Sequence, residues 1–124
     1  MKTVIISDDA QFTKTIDSFF TRKGHSTIIY KWLIKAMDNL EEIKPDILII
    51  SADEYPRHWK SLVQFMESGI AGKEHKIYLY KKEKIESEEE LKIQKLNIAK
   101  VFDNLDSITL NTTFAECFPK TQKA

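Results

Sequence analysis

The chain has 124 residues, enough for one domain with a single buried core. Its 19 Lys and Arg residues balance 19 Asp and Glu residues, so no global field draws in nucleic acid or an anionic membrane. Cys117 is the single cysteine, which excludes an internal disulfide and suits a reducing compartment. No run approaches the roughly 18 apolar residues of a membrane span. Met1-Lys2-Thr3 enters a strand-like segment without the apolar stretch of a signal peptide. The expectation is a cytoplasmic domain with neither a membrane nor a nucleic-acid partner.

Along the chain, apolar runs of strand length alternate with segments of helical period. The first run, Thr3–Ser7, ends in the acidic pair Asp8-Asp9. Gln11–Lys23 follows as a helix, with Phe12, Ile16, Phe19 and Phe20 on one face and Gly24 as its stop. Ser26–Tyr30 is the second strand. Lys31–Ile43 is the second helix, striped by Leu33, Ala36, Met37, Leu40 and Ile43 and ended by Pro45.

Ile47–Ser51 is the third strand, and Arg57–Ser68 the third helix, carrying Trp59, Leu62, Val63 and Phe65-Met66. Lys76–Tyr80 is the fourth strand. A fourth helix begins at Ser87, where Ser87 and Glu90 form a capping-box pattern ahead of Leu91 and Ile93. Lys100–Phe102 is the fifth strand. The last helix starts near Asp106 or Ser107 and buries Ile108, Leu110, Phe114 and Phe118. The strands are short, rich in Ile, Val and Tyr, and apolar on both faces, as in a parallel sheet covered by helices. Five strands alternating with five helices predict a doubly wound α/β domain over residues 1–118, with 119–124 a polar tail or the start of a linker.

Several residues have plain structural roles open to them. Asp8 or Asp9 would cap the helix that follows. His25, His58 and His75 lack partners at ligand spacing and read as surface or loop residues. Cys117 reads as a packed helix residue, Trp32 and Trp59 as helix packing, and Lys81-Lys82-Glu83-Lys84 as a solvated loop. None of the three glycines, Gly24, Gly69 and Gly72, follows a strand as a phosphate-cradling loop requires.

The runs Ile5-Ile6-Ser7-Asp8-Asp9, Lys44-Pro45-Asp46-Ile47-Leu48-Ile49-Ile50-Ser51, Lys76-Ile77-Tyr78-Leu79-Tyr80 and Ile98-Ala99-Lys100-Val101-Phe102 resemble the strands of the receiver domain of bacterial response regulators. The resemblance implies a flavodoxin-like α/β fold with strand order 2-1-3-4-5. It also implies a site at the carboxyl ends of the strands, where Asp8, Asp9 and Ser51 meet and the acidic pair holds Mg²⁺. In that family an Asp accepts the phosphoryl group at the position of Ser51. A small hydroxyl residue stands at Tyr80 or Lys81, and an invariant Lys followed by Pro stands at Leu105. Phosphoryl transfer to a carboxylate needs a metal, a cation and a donor, and these departures remove the acceptor and two of its helpers.

The expectation is thus a non-phosphorylatable receiver, not an enzyme, acting as a protein–protein interaction or regulatory module. Ser51, Asp53, Tyr80 and Leu105 mark the vestigial phosphorylation site, and Asp8 and Asp9 a weak Mg²⁺ site at most. The partner is another protein or a downstream effector domain. The expected working face comprises Leu91, Ile93, Val101, Phe102 and Phe114, with a homodimer through the fourth helix, fifth strand and fifth helix as one form. Tyr80 is expected to hold the Phe102 ring in one orientation. Two alternatives stand beside this one: a working phosphotransfer domain with Asp53 as acceptor and Mg²⁺, and a small-ligand sensor whose strand-end pocket uses Lys81, Lys82 and Lys84.

Overall fold

A computed structural model describes residues 2–72, 74–82, 91, 93 and 95–118. Five parallel strands form one sheet in the order β2-β1-β3-β4-β5. They are β1 (Thr3–Ile6), β2 (Thr27–Tyr30), β3 (Ile47–Ser51), β4 (Lys76–Tyr80) and β5 (Lys100–Phe102). Four α-helices are described, α1 (Ala10–Arg22), α2 (Leu33–Ile43), α3 (Trp59–Glu67) and α4 (Ser107–Thr113), with 3-10 turns at Ala52–Glu54 and Ala115–Cys117. No helix among the described residues is long and apolar enough to cross a membrane.

The alternation of side chains along buried strands divides the core in two. Val4, Ile6, Leu48, Ile50, Ile77 and Leu79 meet α2 and α3 through Leu33, Ala36, Leu40, Trp59, Leu62 and Met66. On the opposite face Ile5, Ile47, Ile49, Tyr78, Tyr80 and Phe102 meet α1 and the C-terminal segment through Phe12, Phe19, Phe20, Leu110 and Phe114. The second face is aromatic. Phe114 stands edge-on to Phe20 and Phe102, at centroid distances of 5.1 and 5.5 Å, and is tilted against Tyr78 at 4.8 Å. Each such pair contributes about 1 kcal/mol beyond area burial.

The expected strands and helices agree closely with those observed, and the differences have local causes. α2 starts two residues later than expected, because Lys31 and Trp32 stay outside it and Trp32 is its extended cap residue. It ends on Lys44, whose left-handed φ of 50° brings its amide 2.8 Å from the Leu40 carbonyl. Pro45 follows, and the ring of a proline disfavours helical geometry in the residue before it. The edge strand β2 is not covered on both faces: Ile28 and Ile29 are 41% and 44% exposed. In the C-terminal segment Leu110 and Phe114 are buried as expected, but Ile108 is 79% exposed. The helix ends at Thr113 and a 3-10 turn carries the chain on to Phe118, which is half-buried against the aromatic face. The expected fourth helix lies mostly outside the described residues. Leu91, Ile93 and Lys95 are helical, while Ser87, Glu90 and residues 119–124 are not described.

Two buried side-chain atoms, Thr3 Oγ1 and His75 Nε2, have no hydrogen-bond partner among the described residues. The Thr3 side chain is fully buried at the start of β1. A buried hydroxyl without a partner costs about 1–3 kcal/mol in desolvation. Thr3→Val keeps the shape and removes that cost, so it is expected to raise unfolding stability by about 1 kcal/mol. Urea denaturation with an unchanged m-value checks this; a midpoint that falls contradicts the burial of an unpartnered hydroxyl.

Candidate functional site at the strand carboxyl ends

In an open α/β sheet the crevice forms where the strand order reverses. Here that point lies between β1 and β3, which run in register with Ile6 beside Ile50. The next residues, Ser7 and Ser51, are therefore delivered side by side to the same edge, and both are buried. β3 also runs beside β4, with Ser51 paired to Tyr80, and β4 beside β5, with Tyr80 paired to Phe102.

The acidic pair separates into two roles. Asp9 is the cap of α1: its Oδ1 accepts from the amides of Gln11 and Phe12 at 2.9 and 3.4 Å. The exposed Asp8 carboxylate makes no hydrogen bond or ion pair among the described residues. The backbone at this point is held by Glu54, which sequence reasoning had passed over. Glu54 Oε1 accepts from the Asp8 amide at 2.7 Å, and Glu54 Oε2 accepts from the Ser7 hydroxyl. The Ser7 hydroxyl in turn accepts from the Asp9 amide at 3.0 Å. Among the described residues no three His, Cys, Asp or Glu side chains gather in a metal-holding group. With Asp9 capping, Glu54 committed to Ser7 and Asp8, and a serine at position 51, the donor set does not fit a Mg²⁺ held by three carboxylates.

Asp53 lies in the 3-10 turn just after β3. Its Oδ1 accepts from Lys81 Nζ at 3.2 Å, and its Oδ2 accepts from the Lys82 amide at 2.7 Å. The Asp53 and Lys81 side chains are only 19% and 11% exposed, so this is a mostly buried ion pair. The reading of Lys81 as part of a solvated loop is corrected accordingly: β4 ends pointing its next residue at the β3 turn. Lys82 is exposed, and Glu83 and Lys84 lie outside the described residues.

Tyr80 fills the space beside this pair. It packs 4.7 Å from Phe12 and 5.0 Å from Phe102. Burial first, and then the charges of Asp9, Asp103 and Asp53, hold its phenol above the usual tyrosine range, so it stays protonated. Phe102 is buried between Tyr80 and Phe114. Leu105 is half-buried against the aromatic face, so the position that resembles the family's invariant Lys is apolar and part of the packing.

The expected working face is only partly at the surface. Leu91 is 59% exposed and Val101 37%, whereas Ile93, Phe102 and Phe114 are buried in the core. Ile93 joins the face shared with α2 and α3, and the two phenylalanines the aromatic face. Trp59 is buried and packs α3 as expected, but Trp32 is 73% exposed; it caps α2 from outside the helix, where the α2 stripe cannot cover it. His25 lies against Phe118 at 5.0 Å, His58 is exposed, and His75 Nδ1 is 3.2 Å from the Gly72 carbonyl. Cys117 is buried in a 3-10 turn, not a helix, with its Sγ 3.2 Å from the Tyr78 hydroxyl, and burial pushes its thiol up.

The N-terminal-domain model of the TP_0454_N family matches residues 1–98. A protein of Treponema pallidum (strain Nichols), described as uncharacterized, is 39% identical over 67 residues, which is 54% of this chain and 29% of that protein. The match thus spans less than a third of the relative's length. Among solved structures, a two-component response regulator from Legionella pneumophila is similar over 94% of this chain and 96% of its own, with a TM-score of 0.78 at 14% identity. The receiver domain of a DNA-binding response regulator from Colwellia psychrerythraea 34H covers 94% of this chain and 97% of its own, with a TM-score of 0.75 at 19% identity. The pseudo-receiver domain of the CikA protein covers 95% and 98%, with a TM-score of 0.66 at 15% identity. At these identities the likeness is one of fold, and the fold is that of a receiver domain.

The Asp53–Lys81 pair generates a prediction about stability. Removing one partner of a mostly buried pair strands the other charge, at a cost of about 3 kcal/mol. Lys81→Met is expected to destabilise the domain by that amount, and adding Asp53→Asn is expected to restore most of it. A double-mutant cycle in denaturant measures the coupling; additive losses would show that the two groups do not depend on each other.

Proposed function

The chain belongs to the TP_0454_N family through its N-terminal domain, and on that premise we propose a non-phosphorylatable receiver domain that works as a protein–protein interaction or regulatory module in signal transduction. The observation that carries this reading is the engagement of Asp53. It is the carboxylate nearest the acceptor position in sequence, and Lys81 and the Lys82 amide bind its two oxygens. Attack on a phosphoryl group needs one of those oxygens desolvated, free and beside a metal.

Three further features support it. Ser51 offers a hydroxyl where a carboxylate would be the nucleophile, and the nearby Asp9 carboxylate is spent on capping α1. Tyr80 occupies the volume beside the site, and Leu105 contributes packing in place of a cation. Any Mg²⁺ association would be weak and would go through Asp8 and Asp9. The domain has no catalytic residues, and it acts in the cytoplasm on a protein partner or an effector domain. A homodimer would use the exposed part of the expected face, Leu91 and Val101, together with Ile108.

One observation favours a second reading. Lys81 Nζ stands 3.2 Å from Asp53 Oδ1, so a cation and a carboxylate do meet at this edge, and Lys81 could replace the cation missing at Leu105 in a phosphotransfer reaction with Asp53 as acceptor. Intact-mass measurement after incubation with acetyl phosphate and Mg²⁺ separates the two. The expected result is no phosphoryl adduct on the chain. An adduct that is labile to hydroxylamine and lost on Asp53→Asn would replace the first reading with the second.

A further inference from the structure

The largest exposed apolar side chains near the strand-end edge are Trp32 and Ile34, 73% and 68% exposed. They line two neighbouring hollows. One, of about 570 Å³, is walled by Trp32, Ile34 and Tyr55 and rimmed by Asp8, Glu54, Lys31 and His58. The other, of about 450 Å³, lies across the same two residues toward Lys35 and Asp38. Trp32 and Ile34 thus form an apolar ridge with a carboxylate-bearing hollow on each side.

The first hollow is held in shape from both sides. The Tyr55 hydroxyl donates to the Lys31 carbonyl at 2.6 Å, tying the turn after β3 to the loop before α2. Glu54 accepts from the Ser7 hydroxyl and the Asp8 amide on the opposite wall. The electrostatics inside favour a cation. At neutral pH two carboxylates, Asp8 and Glu54, face one ammonium, Lys31. Their charge is felt at the wall: after burial, Glu54 and then Asp8 push the Tyr55 phenol up to about 12. The exposed indole of Trp32 adds a π face, the strongest of the aromatic side chains for cation contact.

We propose that this groove is a docking site for a segment of a partner protein that presents an arginine or lysine next to an apolar residue. The cationic head enters the first hollow between Asp8 and the Trp32 ring, and the neighbouring apolar side chain lies on the Trp32–Ile34 ridge. The fixed walls keep the ordering cost of binding low. This inference rests on the reading of the domain as a binding module and names the chemistry of its partner.

The probe is N-acetyl-leucyl-arginine amide, titrated into the full chain while the two Trp indole resonances are followed by NMR. Trp32 is expected to shift to saturation, whereas the buried Trp59 stays still. Replacing arginine by citrulline, which has nearly the same shape without the charge, is expected to weaken binding about fivefold or more, and Asp8→Asn to do the same. Trp32→Ala, followed at the Asp8 and Ile34 amides, is expected to weaken it about tenfold or more. Ser18→Ala, at an exposed position of α1 on the opposite face of the sheet, is expected to leave it unchanged. Equal affinity for the citrulline peptide, a shift that does not saturate, or a response centred on another surface would overturn the assignment. The two failures are separable. An acyl phosphate formed from acetyl phosphate overturns the reading of the domain as non-phosphorylatable, while charge-blind binding of the dipeptide overturns only the role of this groove.

Discussion

Everything at the strand-end edge depends on β1 and β3 lying side by side, parallel and in register. Ile6 beside Ile50 fixes where both strands end, so Ser7 and Ser51 arrive together and the turns that follow must share the crevice. A shift of one residue would exchange the two faces of a strand, placing aromatic-facing Ile5 and Ile49 against α2 and α3. Both strands are buried on both sides, so such a slip would cost packing on two faces at once. The precision of the site is inherited from this pairing and not from the site's own polar contacts.

What those contacts do is close the edge. Phosphoryl transfer to a carboxylate needs a metal and a positioned acceptor oxygen. Here the charges have already found protein partners: Asp9 takes the free amides of α1, Glu54 takes Ser7 and the Asp8 amide, and Asp53 takes Lys81 and the Lys82 amide. An ion pair of this burial contributes little net stability compared with an apolar pair of the same size, but it is costly to open from one side. It therefore acts as a latch on the turn after β3. Tyr80 and Phe102 extend the same closure into the core, since the volume that a small hydroxyl residue would leave empty holds a phenol ring packed against Phe12.

The fold was legible in the sequence because its signals were redundant. β3, β4 and β5 begin and end where the apolar runs do, and Phe12, Ile16, Phe19 and Phe20 mark the buried face of α1 without ambiguity. At the strand-end edge, Ser51 could be placed from position alone because it ends β3, and Leu105 because it follows closely on β5. Glu54 and Lys81 could not, since each acts across the sheet edge on a residue 46 or 28 positions away, and a charged residue in a loop looks the same whether it is solvated or paired. Trp32 was misread for a related reason. Helical spacing placed it beside the α2 stripe, but it stands one residue before the helix begins, where the periodicity no longer governs which way a side chain faces.

Closing the crevice has a consequence for where a partner can bind. A receiver that changes shape on phosphorylation transmits the change through its aromatic on β5, and here that ring, Phe102, is buried between Tyr80 and Phe114. On the proposed reading, information enters the domain by another route than a switched ring. The Trp32–Ile34 ridge lies beside Asp8, whose carboxylate makes no hydrogen bond or ion pair among the described residues. Asp8 is left facing out because Asp9 alone satisfies the cap and Glu54 reaches only the Asp8 backbone. The exposed indole and the exposed Asp8 carboxylate line one hollow, and apolar surface marks a contact site when it is grouped and framed by polar residues. On the proposed reading, the rim beside the filled strand-end edge is the surface that recognition uses.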